Sequence, residues 1–354
     1  MSSSTVSSPG VARARSRTEA VPPRRRRPLL WVAAGLVLLL VAAAASVALG
    51  SRALGLGEVW DALVSGTGSS DVVGIVRDLR VPRTVLGIMV GLAMGAAGAL
   101  TQAHTRNPLA DPGLLGVNAG AACAVVIGVY TLGIGTPIEY MGFGLVGALL
   151  AATAVFGASA ATRGASPITL VLAGTGLSAL LLAITSGIVL VDTASLDAWR
   201  FWNVGSIVGR GADVIGASAP FIVVGLVLAV GSGFFVNVLA LGEDMSRALG
   251  SRVATVRVVG ILAITVLSGA ATAACGPIVF LGLVAPHLAR AVVGSDYRWV
   301  VPASALVGAI LLLVSDVLGR LVARPGEIQV GIVLAVVGAP MLIHLVRSRR
   351  LASV

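Results

Sequence analysis

The 354 residues are 57% hydrophobic and only 11% charged, with a mean hydropathy of +1.00; a soluble domain carries roughly 25% charged residues, so lipid must be the solvent for much of this chain. The net charge of +10 comes from arginine, since all 25 basic residues are Arg. Without lysine there is no P-loop lysine to reach a nucleotide's phosphates and no Schiff-base lysine, so any nucleotide hydrolysis that drives this protein belongs to another subunit.

Residues 1–27 are rich in Ser, Pro and Arg and read as a disordered basic cytoplasmic tail. Its seven arginines (Arg13, Arg15, Arg17, Arg24, Arg25, Arg26, Arg27) directly precede an apolar run. That places them on the cytoplasmic flank of a first membrane helix, beside anionic lipid, and argues against nucleic acid as a partner. The run Pro28–Gly50 is long for the apolar core of a signal peptide and suits an uncleaved span. Apolar stretches of spanning length recur near 29–49, 85–103, 114–132, 140–160, 168–190, 215–238, 257–275, 277–293, 301–321 and 330–346. This pattern predicts an all-α integral membrane protein with about ten transmembrane helices over 28–348 and a cytoplasmic C-terminal tail over 349–354. Ten spans put both termini on one side. With the tail inside, seventeen arginines lie on the cytoplasmic face and eight outside, the asymmetry expected of a membrane protein. Without the tail the margin is ten to eight.

Several features carry candidate chemistry. In the second span Gly91, Gly95, Gly98 and Gln102 follow i, i+4, i+7, i+11 spacing and share one helical face. The face reads either as a seam for close helix contact or, with Gln102 pointing into the bundle, as part of a translocation path. Between spans six and seven, Leu241–Val253 reads as a short amphipathic helix. Glu243 and Asp244 favour the positive end of its dipole, Met245, Ala248 and Leu249 are apolar, and Gly250 suits a helix stop. Such a helix fits a groove on a partner or lies on the bilayer surface. Asp316 falls inside span nine, four residues before Arg320 on the same face; an intramembrane carboxylate is a functional candidate, read as an ion pair or as a proton carrier. His287 and Arg290, near the inner end of span eight, suit bonds to loop carbonyls or lipid phosphate. Cys123 and Cys275 lie in apolar segments and read as structural thiols. With His104, His287 and His344 scattered, the residues offer no metal spacing, no cofactor site and no catalytic cluster for an integral-membrane enzyme.

The segment Arg106-Asn107-Pro108-Leu109-Ala110-Asp111-Pro112, followed by Leu115-Gly116-Val117 and Gly120-Ala121, resembles the signature of permeases in ATP-binding-cassette importers for ferric siderophores, haem and cobalamin, the FecCD type. The match runs in order from Leu79-Arg80-Val81-Pro82-Arg83 through Trp202–Ser206, Leu241-Gly242, Ala248-Leu249-Gly250, Gly276–Leu283, Pro286-His287, Arg290, Asp316, Arg320 and Gly338-Ala339-Pro340. One departure is Gln329, which replaces a proline that the family places before its Val-Gly pair near the last span.

The resemblance implies a permease of type II importer architecture in the cytoplasmic membrane. Spans two to five and seven to ten would form two inverted helix repeats. It further implies a second permease subunit, identical or related, an ATPase dimer beneath the pair and an extracytoplasmic substrate-binding protein above it. Iron-siderophore complexes are the expected ligand, with haem or cobalamin as alternatives, and transport would proceed by alternating access. A proton-coupled secondary transporter using Asp316 is the rival from another class. By position, Arg80, Arg83 and Arg320 match residues that meet acidic groups of the binding protein, a task that suits the guanidinium fork. Glu243, Asp244, Met245, Ala248, Leu249 and Gly250 match the ATPase coupling loop. Asn107 and Leu109, with Ser166, match the cytoplasmic gate.

Overall fold

A computed structural model describes residues 28–161, 167–240, 246 and 253–347, and all regular structure among them is helical. The cause is the solvent: in hydrocarbon no water satisfies the backbone, so each apolar segment closes its own hydrogen bonds as a helix. In chain order the helices are α1 (Pro28–Ala48), α2 (Leu56–Val64), α3 (Ser70–Gly74), α4 (Val81–Thr105), α5 (Val117–Leu132), α6 (Pro137–Ala161), α7 (Pro167–Val191), α8 (Thr193–Trp202), α9 (Ala212–Ala240), α10 (Val253–Cys275), α11 (Leu281–Val293), α12 (Tyr297–Val322) and α13 (Val330–Arg347). Among the described residues, seven helical stretches are long and apolar enough to cross a membrane, and shorter apolar helices occupy the three remaining expected positions, α5, α11 and α13.

Span eight departs from expectation. It was predicted from 277, yet the helix begins at Leu281, and Gly276, Pro277 and Ile278 run as buried non-helical chain. Irregular backbone at membrane depth is tolerated where protein, not lipid, surrounds it. Here Ser206 N–H donates to the Cys275 carbonyl at 2.7 Å. Gly276 (φ 78°) and Gly205 (φ 76°) adopt left-handed conformations and bring the two chains into backbone contact that a side chain at either position would block.

Three helices form the centre. The apolar windows of α4 (with its N-terminal extension), α10 and α12 are 78%, 72% and 72% buried, against 11% for α1 and 17% for α7. The glycine face of α4 explains its depth. A methyl at Gly91 or Gly95 would overlap the backbone of α12 at Ala309 or Ser304, and one at Gly98 would overlap Gly282 at the start of α11. The face is therefore a seam of close backbone contact, as small residues permit where no hydrophobic force draws helices together. Cys123 and Cys275 are buried free thiols.

The helix carrying span two starts much earlier than the expected 85. A continuous helix runs from Ser70 through a π-helical segment, Ile75–Arg80, into α4. Pro82, in the first turn of α4, cannot donate to the carbonyl four residues back, and the wider turn ahead of it, in which Val81 N–H bonds Val76 O, absorbs that loss and rotates Arg80 and Arg83 inward.

Candidate functional site: an arginine cluster at the outer end

At the end of the bundle that the arginine count assigns to the outside, α1 stops at Ala48 with its last carbonyls unpaired, as every helix C-terminus does. Two arginines from elsewhere satisfy them, and a third binds the chain just beyond. Arg80 donates to the carbonyls of Val47 at 3.0 Å, Ala48 at 2.8 Å and Arg52 at 2.6 Å. Arg320 donates to Ser46 O and Leu49 O, both at 2.9 Å, and Arg324 to Gly50 O at 2.8 Å. Cations at the negative end of the helix dipole stabilise it further. With the bond between the Ser46 and Thr84 hydroxyls at 2.8 Å, these bonds tie this end of α1 to the bundle.

Beneath this cap sits Asp316. Arg83 Nη2 lies 2.7 Å from its Oδ1, Arg320 Nη2 lies 2.8 Å from its Oδ2, and the Asp316 side chain is only 1% exposed. The expected Asp316–Arg320 pair is thus present, but it is one arm of a larger network joining α1, α4 and α12. Arg83 also reaches Glu327 with Nη1 at 2.6 Å, and Ser51 Oγ donates to the other Glu327 oxygen at 2.9 Å. Burial alone would raise the Glu327 carboxyl; its bonds to Arg83 and Ser51, with the charge of Arg320, outweigh that and hold it below the usual range.

Arg80, Arg83 and Arg320, the expected docking residues, all belong to this cluster. They are 5%, 9% and 1% exposed, because each guanidinium is turned inward to carbonyls or carboxylates. They form the positive floor of a cavity of about 400 Å³, to which Arg52 and Arg210 also contribute. Sequence reasoning missed Glu327 and Arg210 here. Glu327 stood in the motif that departs from the family; Arg210, in a glycine-flanked loop, offered no signal.

The other expected residues separate by location. Gln102 is fully buried; its Nε2 donates to Leu283 O at 3.2 Å and its Oε1 accepts from Arg290, so it ties α4 to α11. Arg290, expected at loop carbonyls or lipid, is buried against Gln102 instead. Asn107 is exposed, and its Oδ1 accepts from Leu109 N–H at 2.9 Å, a turn that sets the path of the loop; Leu109 is half-buried. Asp111 caps the following 3₁₀ turn through Gly113 N–H at 2.9 Å. Its Oδ2 is buried and has no partner among the described residues, and burial pushes its carboxyl up to about 6 against the pull of that one bond. Ser166 and the coupling-loop residues Glu243, Asp244, Met245, Ala248, Leu249 and Gly250 lie outside the described residues, as do both tails. On one side of that loop α9 is tied to α12, Asn237 Nδ2 donating to Asp296 at 2.7 Å and Asn237 Oδ1 accepting from Tyr297 N–H at 2.8 Å; across the loop, Leu239 packs with Val253 and Val256 at the start of α10.

The sequence pattern of the FecCD transport family matches residues 38–348. The chain is 45% identical to the ferric enterobactin transport system permease protein FepD of Escherichia coli, over 86% of this chain and 91% of that one. It is 39% identical to the Fe(3+)-citrate import system permease protein YfmD of Bacillus subtilis, over 82% and 85%. It is 36% identical to the cobalamin import system permease protein BtuC of Halobacterium salinarum, over 78% and 74%. Among solved structures, one described as an inward-facing metal-chelate type ABC transporter superposes with a TM-score of 0.79 at 25% identity, covering 90% of this chain and 99% of that one.

Proposed function

This chain belongs to the FecCD transport family, and on that premise we propose that it is the permease subunit of an ATP-binding-cassette importer that moves iron-siderophore complexes across the cytoplasmic membrane by alternating access. The observation that carries the ligand class is the 45% identity to the ferric enterobactin permease across 86% of the chain. Permeases of this family hydrolyse nothing themselves. An ATPase dimer does so, and a chain without lysine fits that division of labour.

In this reading both termini are cytoplasmic, two permeases pair, and the segment Leu241–Val253 engages the ATPase from between the anchored ends of α9 and α10. Asn107, Leu109 and Ser166 narrow the cytoplasmic exit. A binding protein meets the outer cavity through acidic groups: the buried Arg80, Arg83 and Arg320 supply positive potential, joined by the exposed Arg52 and the half-buried Arg210. Complementary charge of this kind steers encounter and fixes register more than it adds affinity.

The Asp316 network disfavours the proton-coupled rival. Both Asp316 oxygens are taken up by guanidiniums, Arg83 on Oδ1 and Arg320 on Oδ2, an arrangement that fastens helices together. The test is uptake of radiolabelled ferric siderophore in cells lacking their own permease, supplied with this chain and its ATPase and binding protein. Uptake of the iron complex, without uptake of cobalamin or haem, is the expected result; transport of cobalamin alone would overturn the ligand assignment.

A further inference from the structure

After residues 49–55, α1 gives way to the nine-residue helix α2. α1 has 21 residues, about 31 Å at the helical rise, which just spans a hydrocarbon core of ~30 Å. Val47, in its last turn, packs on the apolar cluster that Val59 and Ala62 of α2 form with Val72 and Val76. Packed helices lie roughly 8–10 Å apart, so α2 is held close to the headgroup layer. Around its axis the side chains divide into three sectors. Val59 and Ala62 are buried against the bundle. Leu56, Trp60, Leu63 and Val64, at i, i+4, i+7 and i+8, form an exposed apolar stripe roughly 100° wide. Glu58 and Asp61 fill the third sector and are also exposed.

We propose that the stripe of α2 is seated in lipid at the membrane surface, which makes α2 an interfacial anchor for the arginine cluster. With one sector on the bundle, two outward sectors remain, one for lipid and one for water. Carboxylates are too costly to place against hydrocarbon, so Glu58 and Asp61 take the water and the apolar stripe takes the lipid. The stripe continues the lipid-facing surface of α1, on which Leu40, Val41 and Leu49 are exposed. Trp60, at its centre, is of the residue type enriched at this boundary. A binding protein does not fit as occupant, because covering the stripe from the water side would turn both acids toward the bilayer. The seating reaches the arginine cluster through Arg77 of the π-helical segment, which donates to Ala62 O at 2.7 Å and Leu63 O at 3.0 Å near the end of α2. That segment ends at Arg80, so lipid on α2 sets the height of the guanidiniums relative to the membrane.

The experiment attaches a bimane fluorophore to Trp60→Cys and, separately, to Glu58→Cys in the full chain, reconstituted in phosphatidylcholine vesicles. Both positions are exposed, and the native thiols Cys123 and Cys275 are buried, so the unmodified chain is the labelling blank. Phosphatidylcholine with a nitroxide near the top of its acyl chain should quench the label at position 60 several-fold more than the label at position 58. Iodide, present on both sides of the membrane, should show the reverse order. Leu56→Cys and Asp61→Cys repeat the comparison on the same two sectors, so a single variant that folds poorly does not decide it. Equal quenching of the two sectors by the nitroxide lipid, or by iodide, would overturn the proposal. So would a label on the stripe that neither quencher reaches, which would mark a second copy of this chain over it. The measurement involves neither transport nor sidedness, so its failure leaves the importer reading untouched.

Discussion

Arg83 grips Asp316 through two nitrogens, Nη2 at 2.7 Å and Nε at 3.1 Å, across 233 positions of sequence. The pair fastens α4 to α12 near the outer end, and Arg320 on the second Asp316 oxygen extends the fastening to α1. Replacing Asp316 with Asn keeps the shape but leaves the buried Arg320 without its carboxylate and Arg83 with Glu327 alone. Removing one partner of a buried ion pair costs about 3–5 kcal/mol. Asp316→Asn should therefore lower the melting temperature and folded yield of the purified permease, read by fluorescence-detected size exclusion after heating; an unchanged profile would show that the network does not hold these helices.

Asp111 gives a pH-dependent prediction. Its carboxyl is raised from the ordinary 3.8 to about 6, so the folded state favours the protonated form and loses stability as pH rises from about 4 to 6. Asp111→Asn retains an oxygen for the Gly113 N–H and removes the ionisation. The variant should be the more stable one above pH 6, with the advantage shrinking as pH falls toward 4. Melting curves across that window check it, and a pH-independent difference would contradict it.

The glycine seam can be separated from glycine content in general. Gly98→Val forces a side chain into the Gly282 carbonyl, whereas Gly176 has open space at its Cβ position. Gly98→Val should abolish folded protein, while Gly176→Ala should be neutral or slightly stabilising by the helix preference of Ala over Gly, up to about 1 kcal/mol. Expression and melting of the two variants side by side decide this.

Much of the fold was legible in the sequence because lipid imposes a simple rule of apolar length. Ten helices stand at the ten expected positions, and the Gly91–Gln102 face and the Asp316–Arg320 spacing were visible as helical periodicity. Contacts far apart in sequence were not. Arg83 with Asp316, and Arg320 with the carbonyl of Ser46 some 274 positions away, depend on which helices become neighbours. The inward turn of Arg80 and Arg83 depends on the π-helical segment, which no local pattern announced. The short helix α8 does carry a local signal, since Asp192, whose side chain accepts from Ser195 N–H at 2.8 Å, is an ordinary helix cap.

Testing the outer cavity as a docking surface calls for residues whose loss leaves the fold intact, which rules out Arg83 and Arg320. Arg52→Glu combined with Arg210→Glu should slow association of the binding protein several-fold at low salt, with little difference at 1 M salt, where the screening length is about 3 Å. Surface plasmon resonance on the assembled transporter measures this. Equal association rates at low salt would remove the cavity from the docking interface.

As a permease subunit this chain conducts but does not energise transport. Its most direct test is uptake of ferric siderophore by proteoliposomes containing the permease, its ATPase and the binding protein. The account predicts uptake that requires ATP, is unaffected by an uncoupler while ATP is held constant, and is lost when Leu241–Val253 is scrambled. Uptake by the permease alone, driven by a proton gradient without nucleotide, would contradict it.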